Sequence, residues 1–205
     1  MNKYVKYILF NLLFLSNCFA GVTYSKDYLN EIYQSAKTIN IEIISERDRI
    51  LNKIYTEDEK DYLINKYGIV NIDNEKEIKE RVQPVNIEIL LAQAILESGN
   101  GNSKYAKEGN NYLGIYTSNP EHKTITVSKN KKTAKIQKFE SIYECVYRYA
   151  EIINSAKHYK EYRKIRNKTN DPYKIVEGLS AYSNDDDYYL QVKEVLYSLN
   201  KLKVN

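Results

Sequence analysis

Apolar residues recur every three or four positions over long stretches of the chain, which is the spacing of helices that bury one face. In the stretch 27–54 this spacing predicts one long or broken helix. Thr56 and Glu59 form a capping box and Gly68 is a stop signal, so a second helix is predicted between them. The apolar positions of the first stretch are Tyr28, Leu29, Ile32, Tyr33, Ala36, Ile39, Ile43, Ile50 and Ile54.

A further helical stretch ends on a carboxylate. Pro84 and Asn86 give a start signal, and Gly99 and Gly101 give a stop signal. Glu97 then lies in the last turn, on the face that carries the apolar residues. The negative end of the helix dipole and the apolar surroundings both disfavour the ionised form, so a raised pKa is predicted for Glu97. The apolar positions are Leu90, Leu91, Ala94 and Ile95.

A carboxylic acid that keeps its proton near neutral pH suits a general acid that protonates a leaving oxygen. Most glutamates near helix ends are solvated and do no chemistry, and perturbed groups also serve purely structural roles. Spacing alone therefore leaves both interpretations of Glu97 open.

After Tyr116 the apolar pattern changes from helical to alternating. The segments 124–127 and 135–139 flank the polar run 128–132, which predicts a β-hairpin with a lysine-rich turn. The pattern is helical again over 142–153 and after the Asp171-Pro172 start signal. A last helix is marked by Tyr189, Val192, Leu196 and Leu199. The predicted fold class is mainly α with one small hairpin.

Residues 1–20 have the pattern of a cleavable secretory signal, with Lys3 and Lys6 before the apolar run 8–15 and small residues before position 21. The run is shorter than the roughly 20 apolar residues that span a membrane. Export to the periplasm or the medium, with no membrane anchor after cleavage, is predicted. A lipoprotein attached through Cys18 is the alternative, although Asn17 fits that motif poorly.

Composition argues against several other classes. Removing Lys3 and Lys6 lowers the formal charge from +4 to +2, and the remaining positive charges are dispersed, so no nucleic-acid partner is predicted. Cys145 is then the single cysteine, which excludes an internal disulfide and suggests a small core residue. His122 and His158 have no neighbour at metal-ligand spacing, so neither a metal nor a cofactor is predicted.

Three motifs follow one another around Glu97. They are LAQAILESG at 91–99, GNSKYA at 101–106 and GNNYLGI at 109–115. Together they resemble the signature of the glucosaminidase domain of peptidoglycan hydrolases. The closest likeness is to Bax-type proteins, which are relatives of the flagellar peptidoglycan hydrolase domain. Weaker similarity upstream and downstream extends over nearly the whole mature chain.

This resemblance implies a lysozyme-like helical domain at 84–205, preceded by the signal at 1–20 and a helical lead-in at 21–83. It implies peptidoglycan glycan strands as substrate, a monomeric enzyme that cuts after N-acetylglucosamine, and Glu97 as the catalytic acid. It also places Tyr182 near the substrate's acetamido group or the developing charge, although a core tyrosine is the alternative.

The residues predicted to contact substrate surround the same motifs. The Asn110 and Asn111 amides either fix the loop beneath Glu97 or bind an N-acetyl group. The Tyr112 and Tyr116 rings offer flat faces to sugars, with core packing as the alternative for Tyr112. The full set is Ser98, Asn110, Asn111, Tyr112, Tyr116 and Tyr189.

The chain departs from the family at two places. Asn100 stands where the family commonly has a tryptophan. The first hairpin strand offers Thr126 and Ser128 where better-studied members carry a second glutamate, and the nearest acids, Glu121 and Glu140, have the character of surface residues.

Three functions remain open, and the first two follow from the missing hairpin glutamate. The substrate's acetamido group could act as the internal nucleophile of a hydrolase. A non-catalytic wall-binding or scaffold protein would need no second group. A lytic transglycosylase also uses one glutamate, although the segment that follows the glutamate in that class differs from 111–116.

Overall fold

The computed structural model describes residues 26–129, 132–182 and 187–203. Across these ranges helices predominate, and the β structure is one two-stranded antiparallel sheet, as predicted for the fold class. The predicted signal segment, with Cys18, lies outside the described residues. The α-helices are α1 Lys26–Leu51, α2 Glu57–Tyr67, α3 Glu75–Arg81, α4 Ile87–Glu97, α5 Lys104–Gly109, α6 Ile142–Ser155, α7 Lys160–Arg166, α8 Pro172–Ile175 and α9 Tyr188–Lys203. Short 3₁₀ helices occupy Lys157–Tyr159 and Val176–Ala181.

The first two helices follow from local signals. α1 ends three residues before the predicted limit, because Lys53 adopts a left-handed φ of 56° and Ile54 lies outside, 62% exposed. α2 begins with the predicted capping box, in which Thr56 and Glu59 each accept a backbone N–H from the other. It ends at Gly68, whose φ of 60° is the conformation that glycine adopts most readily.

α4 lies at the centre of the molecule. Asn86 caps its first turn by accepting the N–H of Ile89, as its predicted start required. The helix packs against α1 and α9 and is buried over most of its surface. Glu97 therefore ends a helix that is largely enclosed by its neighbours.

One hydrophobic core joins the lead-in to the rest of the chain. α1 packs on α6 and α4, and its buried side chains belong to the same cluster as those of α4, α6 and α9. Cys145 is fully buried in this cluster, as predicted, and is a free thiol. The domain division at residue 84 stays a prediction.

The hairpin is longer than predicted. β1 (Thr124–Lys129) pairs with β2 (Lys132–Gln137), and Thr124 stands opposite Gln137. The turn at 130–131 lies outside the described residues. A short extended segment also pairs with β2, since Gln137 donates to the Ile115 carbonyl (2.9 Å) and Thr117 donates to that of Lys135 (3.0 Å). This third segment, which the sequence pattern did not predict, attaches the Gly114 region to the hairpin.

The last helix faces the core with Val192 and Leu196, as predicted, but with Tyr188 in place of Tyr189. α9 buries Tyr188, Val192, Val195 and Leu196, whereas Tyr189 is only partly buried. Residues 183–186, which precede this helix, lie outside the described ranges. No helix of the described ranges has the length and apolar character needed to cross a membrane.

Candidate active site

Glu97 is placed by a tight turn at the end of α4. Ser98 follows it and is fully buried, and its hydroxyl donates to the Ala94 carbonyl (2.5 Å) and accepts the Gly101 N–H (2.7 Å). Gly99 and Gly101 adopt left-handed φ values of 56° and 77°, which reverse the chain. Ser98 was predicted to contact substrate, but its hydroxyl is engaged inside the protein and instead closes the turn.

The Glu97 carboxyl group packs against the backbone of Gly114. A Cβ at Gly114 would lie 2.7 Å from Oε2 of Glu97, closer than atoms can approach without displacement, and the φ of Gly114 is +61°. Only glycine meets both requirements without strain. We call residues 111–115 the glycine loop, since Gly114 is the residue that brings this loop onto Glu97.

Three side chains hold the glycine loop in place. Asn111 is fully buried, and its amide donates to the carbonyls of Ile115 (2.9 Å) and Gln137 (2.8 Å) and accepts the Ile115 N–H (3.0 Å). Tyr182 donates its hydroxyl hydrogen to the Leu113 carbonyl (2.7 Å). The Cys145 sulfur accepts backbone N–H groups of the same loop, and burial raises the pKa of this thiol to about 12, which keeps it protonated.

The hydrogen bonds of the two asparagines favour the structural alternative. Both N–H groups of Asn111 are used inside the protein, so it fixes the loop and has none left for an N-acetyl group. Asn110 has a left-handed φ of 48° and donates to the carbonyls of Phe139 and Glu140, both at 3.1 Å. Asn111 therefore attaches the glycine loop to the last residue of β2, and Asn110, just before the loop, bonds the segment that follows the hairpin.

The surroundings of Glu97 raise its pKa, as predicted. Burial raises the pKa from the usual 4.5 to about 7, and the Tyr188 hydroxyl, within hydrogen-bonding reach of the carboxyl group, partly opposes this rise. Burial disfavours the charged form because the carboxylate loses its hydration. A carboxyl group of this kind can carry a proton near neutral pH and deliver it to a bound oxygen.

Tyrosine rings form one wall of the site. Tyr182 stacks on Tyr188 with ring centres 5.5 Å apart, and it also contacts Tyr149 and Tyr159. Burial raises the pKa of the Tyr182 hydroxyl well above 10, and the neighbouring Tyr188 and Glu97 add to this rise, so the group stays neutral. Tyr182, predicted from the resemblance, thus lies beside Glu97 with its hydrogen already donated to Leu113.

The other predicted aromatic contacts are dispersed. Tyr112 stacks on Tyr28 of α1, with ring centres 5.0 Å apart and planes 14° apart. Tyr116 is 62% exposed at the edge of the hairpin, close to Tyr105, whose hydroxyl pKa is raised by burial and by its neighbours Tyr116 and Glu97. Tyr189 is partly buried, and Nζ of Lys193 lies 5.5 Å from the centre of its ring. Tyr189 has no described contact with Glu97.

The turn after Glu97 is covered by the lead-in. The Tyr28 hydroxyl donates to Oδ1 of Asn100 (3.0 Å), and a Cβ at Gly101 would lie 3.0 Å from the Tyr28 ring. An open depression of about 460 Å³ lies beside this turn, lined in part by Tyr28, Asn100 and Tyr112. A tyrosine from α1 therefore packs on the turn at Asn100, where the sequence departs from the family that it resembles.

No second carboxylate accompanies Glu97 among the described residues. Burial and Tyr188 account for its pKa, with no contribution from a charged neighbour. Glu121 and Glu140 are exposed, and Glu140 pairs with Lys123 (2.7 Å). Thr126 is exposed on β1, and within the described ranges no group of three or more histidine, cysteine, aspartate or glutamate side chains could hold a metal ion.

Two residues near Glu97 were missed in the sequence. Tyr188 was overlooked because Tyr189 was taken as the inward residue of α9, although Tyr188, Val192 and Val195 recur at the helical spacing. Gln93, fully buried on α4, was treated only as part of a motif. Its position four residues before Glu97 was the available signal.

Comparison with known proteins points to one family. The glucosaminidase family profile, described as mannosyl-glycoprotein endo-β-N-acetylglucosaminidase, matches residues 74–201. No curated protein matches the sequence significantly.

Several solved structures are similar to the chain. The catalytic domain of the autolysin Auto from Listeria monocytogenes shows 18% identity and a TM-score of 0.55, covering 91% of this chain and 90% of that one. A peptidoglycan hydrolase from Sphingomonas sp. A1 shows 24% identity and a TM-score of 0.48, covering 58% and 80%. The glycoside hydrolase domain of FlgJ from Salmonella typhimurium shows 20% identity and a TM-score of 0.45, covering 57% and 76%.

These findings test the resemblance seen in the sequence. The structure of Auto shows a shared fold, and the family match includes Glu97, the glycine loop and most of α9. The narrower likeness to Bax-type chains stays a prediction. Because the profile spans more than half of the 205 residues, the chain belongs to the glucosaminidase family.

Proposed function

We propose that the protein is an exported peptidoglycan hydrolase that cleaves the glycan backbone after N-acetylglucosamine, with Glu97 as the general acid. The observation that carries this proposal is the Glu97 carboxyl group, which is held against Gly114 and has a pKa raised to about 7. An acid with this pKa retains a proton near neutral pH and can protonate the leaving glycosidic oxygen.

Peptidoglycan is the proposed substrate because the motifs around Glu97 resemble those of peptidoglycan hydrolases, and because a protein of the same fold is an autolysin. The family description names a mannosyl-glycoprotein activity instead. Both reactions break a glycosidic bond of N-acetylglucosamine, so a glycoprotein carrying N-linked glycans belongs in the assay as a second substrate.

The second catalytic group comes from the substrate in this proposal. With no carboxylate beside Glu97 in the described part of the chain, the substrate's own acetamido oxygen attacks the sugar carbon as the leaving oxygen takes the proton of Glu97. Tyr182 has donated its hydrogen to Leu113, and its oxygen can still accept the acetamido N–H. Tyr182 would thereby orient the nucleophile.

The location of the protein is also proposed. The charged start, short apolar run and small residues of 1–20 support export and cleavage, which would place the mature chain where peptidoglycan lies. Mass spectrometry of the N-terminus after expression in a bacterial host separates the alternatives. A chain that begins at Gly21 supports cleavage, whereas a lipid-modified Cys18 would show a lipoprotein.

A cell-wall zymogram tests the catalytic proposal. The chain without residues 1–20 is compared with Glu97→Gln, which keeps the shape of the side chain but cannot donate the proton. Glu108→Gln is the matched control, since Glu108 is exposed on α5. We expect clearing by the native chain and the control and none by Glu97→Gln. Equal clearing by Glu97→Gln would remove Glu97 as the acid.

The products decide between the remaining functions. Mass spectrometry of digested sacculi should show reducing N-acetylglucosamine ends, whereas anhydro ends would identify a lytic transglycosylase. Binding to sacculi without cleavage by any variant would favour the wall-binding alternative, which the absence of a second carboxylate motivates. Cleavage of the glycoprotein alone would contradict peptidoglycan as the substrate.

A further inference from the structure

A chain of buried polar side chains leads from the core to Glu97. The Tyr149 hydroxyl donates to Oε1 of Gln93 (2.7 Å), and Nε2 of Gln93 donates to the Tyr188 hydroxyl (3.0 Å). Tyr188 in turn lies within hydrogen-bonding reach of Glu97. Gln93 is 0% exposed, so both ends of its amide depend on these two tyrosines for hydrogen bonds.

The amide of Gln93 gives this series of hydrogen bonds a direction. An amide has a donor end and an acceptor end, whereas a tyrosine hydroxyl can serve as either. Because Gln93 donates to Tyr188, the oxygen of Tyr188 is the acceptor in that bond and its single hydrogen remains available. The Glu97 carboxyl group is within reach of this hydrogen.

The surroundings of Tyr149, at the other end of this series of hydrogen bonds, favour the same direction. The buried Arg166 guanidinium lies close to the Tyr149 and Tyr162 hydroxyls, with its carbon 5.4 Å from the centre of the Tyr162 ring. A positive charge attracts the hydroxyl oxygen of Tyr149, which agrees with the donation of its hydrogen to Gln93. The reversed amide orientation would require Tyr149 to accept from Gln93 instead.

We propose that Gln93 is a positioning residue for Glu97 and acts through Tyr188: its amide orients the Tyr188 hydroxyl so that the hydrogen is donated to the Glu97 carboxyl group. This inference rests on the proposed catalytic role of Glu97. A hydrogen donated to the carboxylate stabilises the ionised form and limits the rise that burial causes. Glu97 can then give up its proton to the leaving oxygen and take one back from the water that completes hydrolysis.

Direct measurement of the Glu97 pKa tests the proposal without any assay of activity. Carbon-13 NMR follows the carboxyl signal of Glu97, which is identified by its absence in Glu97→Gln. We expect Tyr188→Phe, which keeps the ring but removes the hydroxyl, to raise the pKa by about one unit. Tyr197→Phe is the matched control, because Tyr197 lies on the same helix and is 58% exposed.

The role of Gln93 requires a double variant. In the native background, Gln93→Met should raise the pKa of Glu97 by less than Tyr188→Phe does. In the Tyr188→Phe background, Gln93→Met should not change the pKa of Glu97. If Gln93→Met does not fold, Tyr149→Phe is used instead, because loss of the Tyr149 hydroxyl frees the Gln93 amide to rotate. Tyr149→Phe should change the pKa of Glu97 only when Tyr188 is present. Equal shifts in both backgrounds, or no shift in Tyr188→Phe, would overturn the proposal.

The pH dependence of hydrolysis separates this inference from the proposed function. The alkaline limb of the activity profile should move upward in Tyr188→Phe by the same amount as the measured pKa of Glu97. Coupled pKa shifts in a protein that cleaves no glycan would support the positioning role and reject the proposed function. A third result is also decisive: Glu97→Gln is inactive, but the alkaline limb does not move in Tyr188→Phe. That result would support the proposed function and reject the inference.

Discussion

Gly114 and Glu97 depend on each other for their environment. Without a Cβ at Gly114, the glycine loop reaches the carboxyl group and excludes water from one side of it. That exclusion contributes to the burial that raises the Glu97 pKa to about 7. The absence of one side chain thus helps to determine the chemistry of another.

Gly114→Ala should abolish most of the activity. The added methyl group would lie 2.7 Å from Oε2 of Glu97, so either the carboxyl group or the loop must move. A displacement of about 1 Å at a catalytic group can reduce the rate about 100-fold. We expect a loss of this size in the rate of sacculus hydrolysis.

Gly99→Ala is the control for backbone strain. Gly99 has a similar left-handed φ of +56°, but nothing lies within 4 Å of its added Cβ. Both variants should lose about 1 kcal/mol of unfolding free energy from the left-handed conformation. A loss of activity in Gly99→Ala as large as in Gly114→Ala would show that strain, rather than contact with Glu97, is responsible.

Burial of Glu97 should destabilise the protein at high pH. Its folded-state pKa is about 7 and its ordinary value is 4.5, so the folded state binds the proton more tightly. Its contribution to stability is complete below pH 4.5 and is lost as the pH rises through about 7. Glu97→Gln should therefore unfold like the native chain at pH 4 but be more stable at pH 8, by roughly 3 kcal/mol.

Urea unfolding at the two pH values measures this difference. A neutral amide retains the shape of the side chain but does not ionise, so its stability should not share this pH dependence. An equal difference between the two proteins at pH 4 and pH 8 would mean that Glu97 keeps its ordinary pKa in the folded state. That result would also remove the physical basis for its role as an acid.

At the scale of elements, α1, α2 and α6 meet around a buried ion pair. Nζ of Lys66 lies 2.8 Å from both carboxylate oxygens of Glu46, and the Tyr67 hydroxyl donates to the same group. The Lys66 ammonium also lies over the rings of Tyr62, Tyr67 and Tyr147. These contacts join the lead-in helices to α6, which carries Tyr149.

Lys66→Met should destabilise this junction. The lysine side chain is 5% exposed, and removing it leaves the Glu46 carboxylate without its cation. Loss of one partner of a buried ion pair typically costs about 3 kcal/mol. Thermal or urea unfolding measures the loss, and the rate per folded molecule should stay close to native because Glu97 is untouched.

Lys53→Met is the matched control for Lys66→Met. Lys53 pairs with Asp73 at a similar distance of 2.9 Å, but both side chains are largely exposed, by 71% and 65%. Exposed pairs typically contribute less than about 1 kcal/mol. Similar losses in the two variants would contradict the assignment of the Lys66 pair to the interior.

Elements whose start signals lie within a few residues were predictable. The capping box of α2, Asn86 before α4 and Asp171 before α8 each form the hydrogen bonds that their residue types suggest. The pairing of Ile115 and Thr117 with β2 was missed, because it joins segments about twenty residues apart through backbone groups. Side-chain patterns report little about such pairings.

At the scale of the whole molecule, the lead-in and the remainder share one core. α1 packs on both α4 and α6, so removing it would expose the central helix to water. A chain of residues 84–205 should therefore show no cooperative thermal transition, whereas the chain that starts at residue 21 should. Circular dichroism during heating measures the difference. A cooperative, active 84–205 fragment would support the domain division predicted at residue 84.

The sequence by itself determined the helical class, most helix starts and the position of Glu97 at a buried helix end. Those features depend on apolar spacing and on caps, which act between residues close in the chain. Most of the residues around Glu97 were decided by tertiary structure. Gly114, Tyr182 and Tyr188 contact the carboxyl group or the glycine loop from other segments of the chain. The Ser98 and Asn111 side chains point inward and form hydrogen bonds with backbone carbonyls. Whether a polar side chain meets a substrate or a carbonyl depends on which segments pack beside it, and that packing is a property of the whole fold.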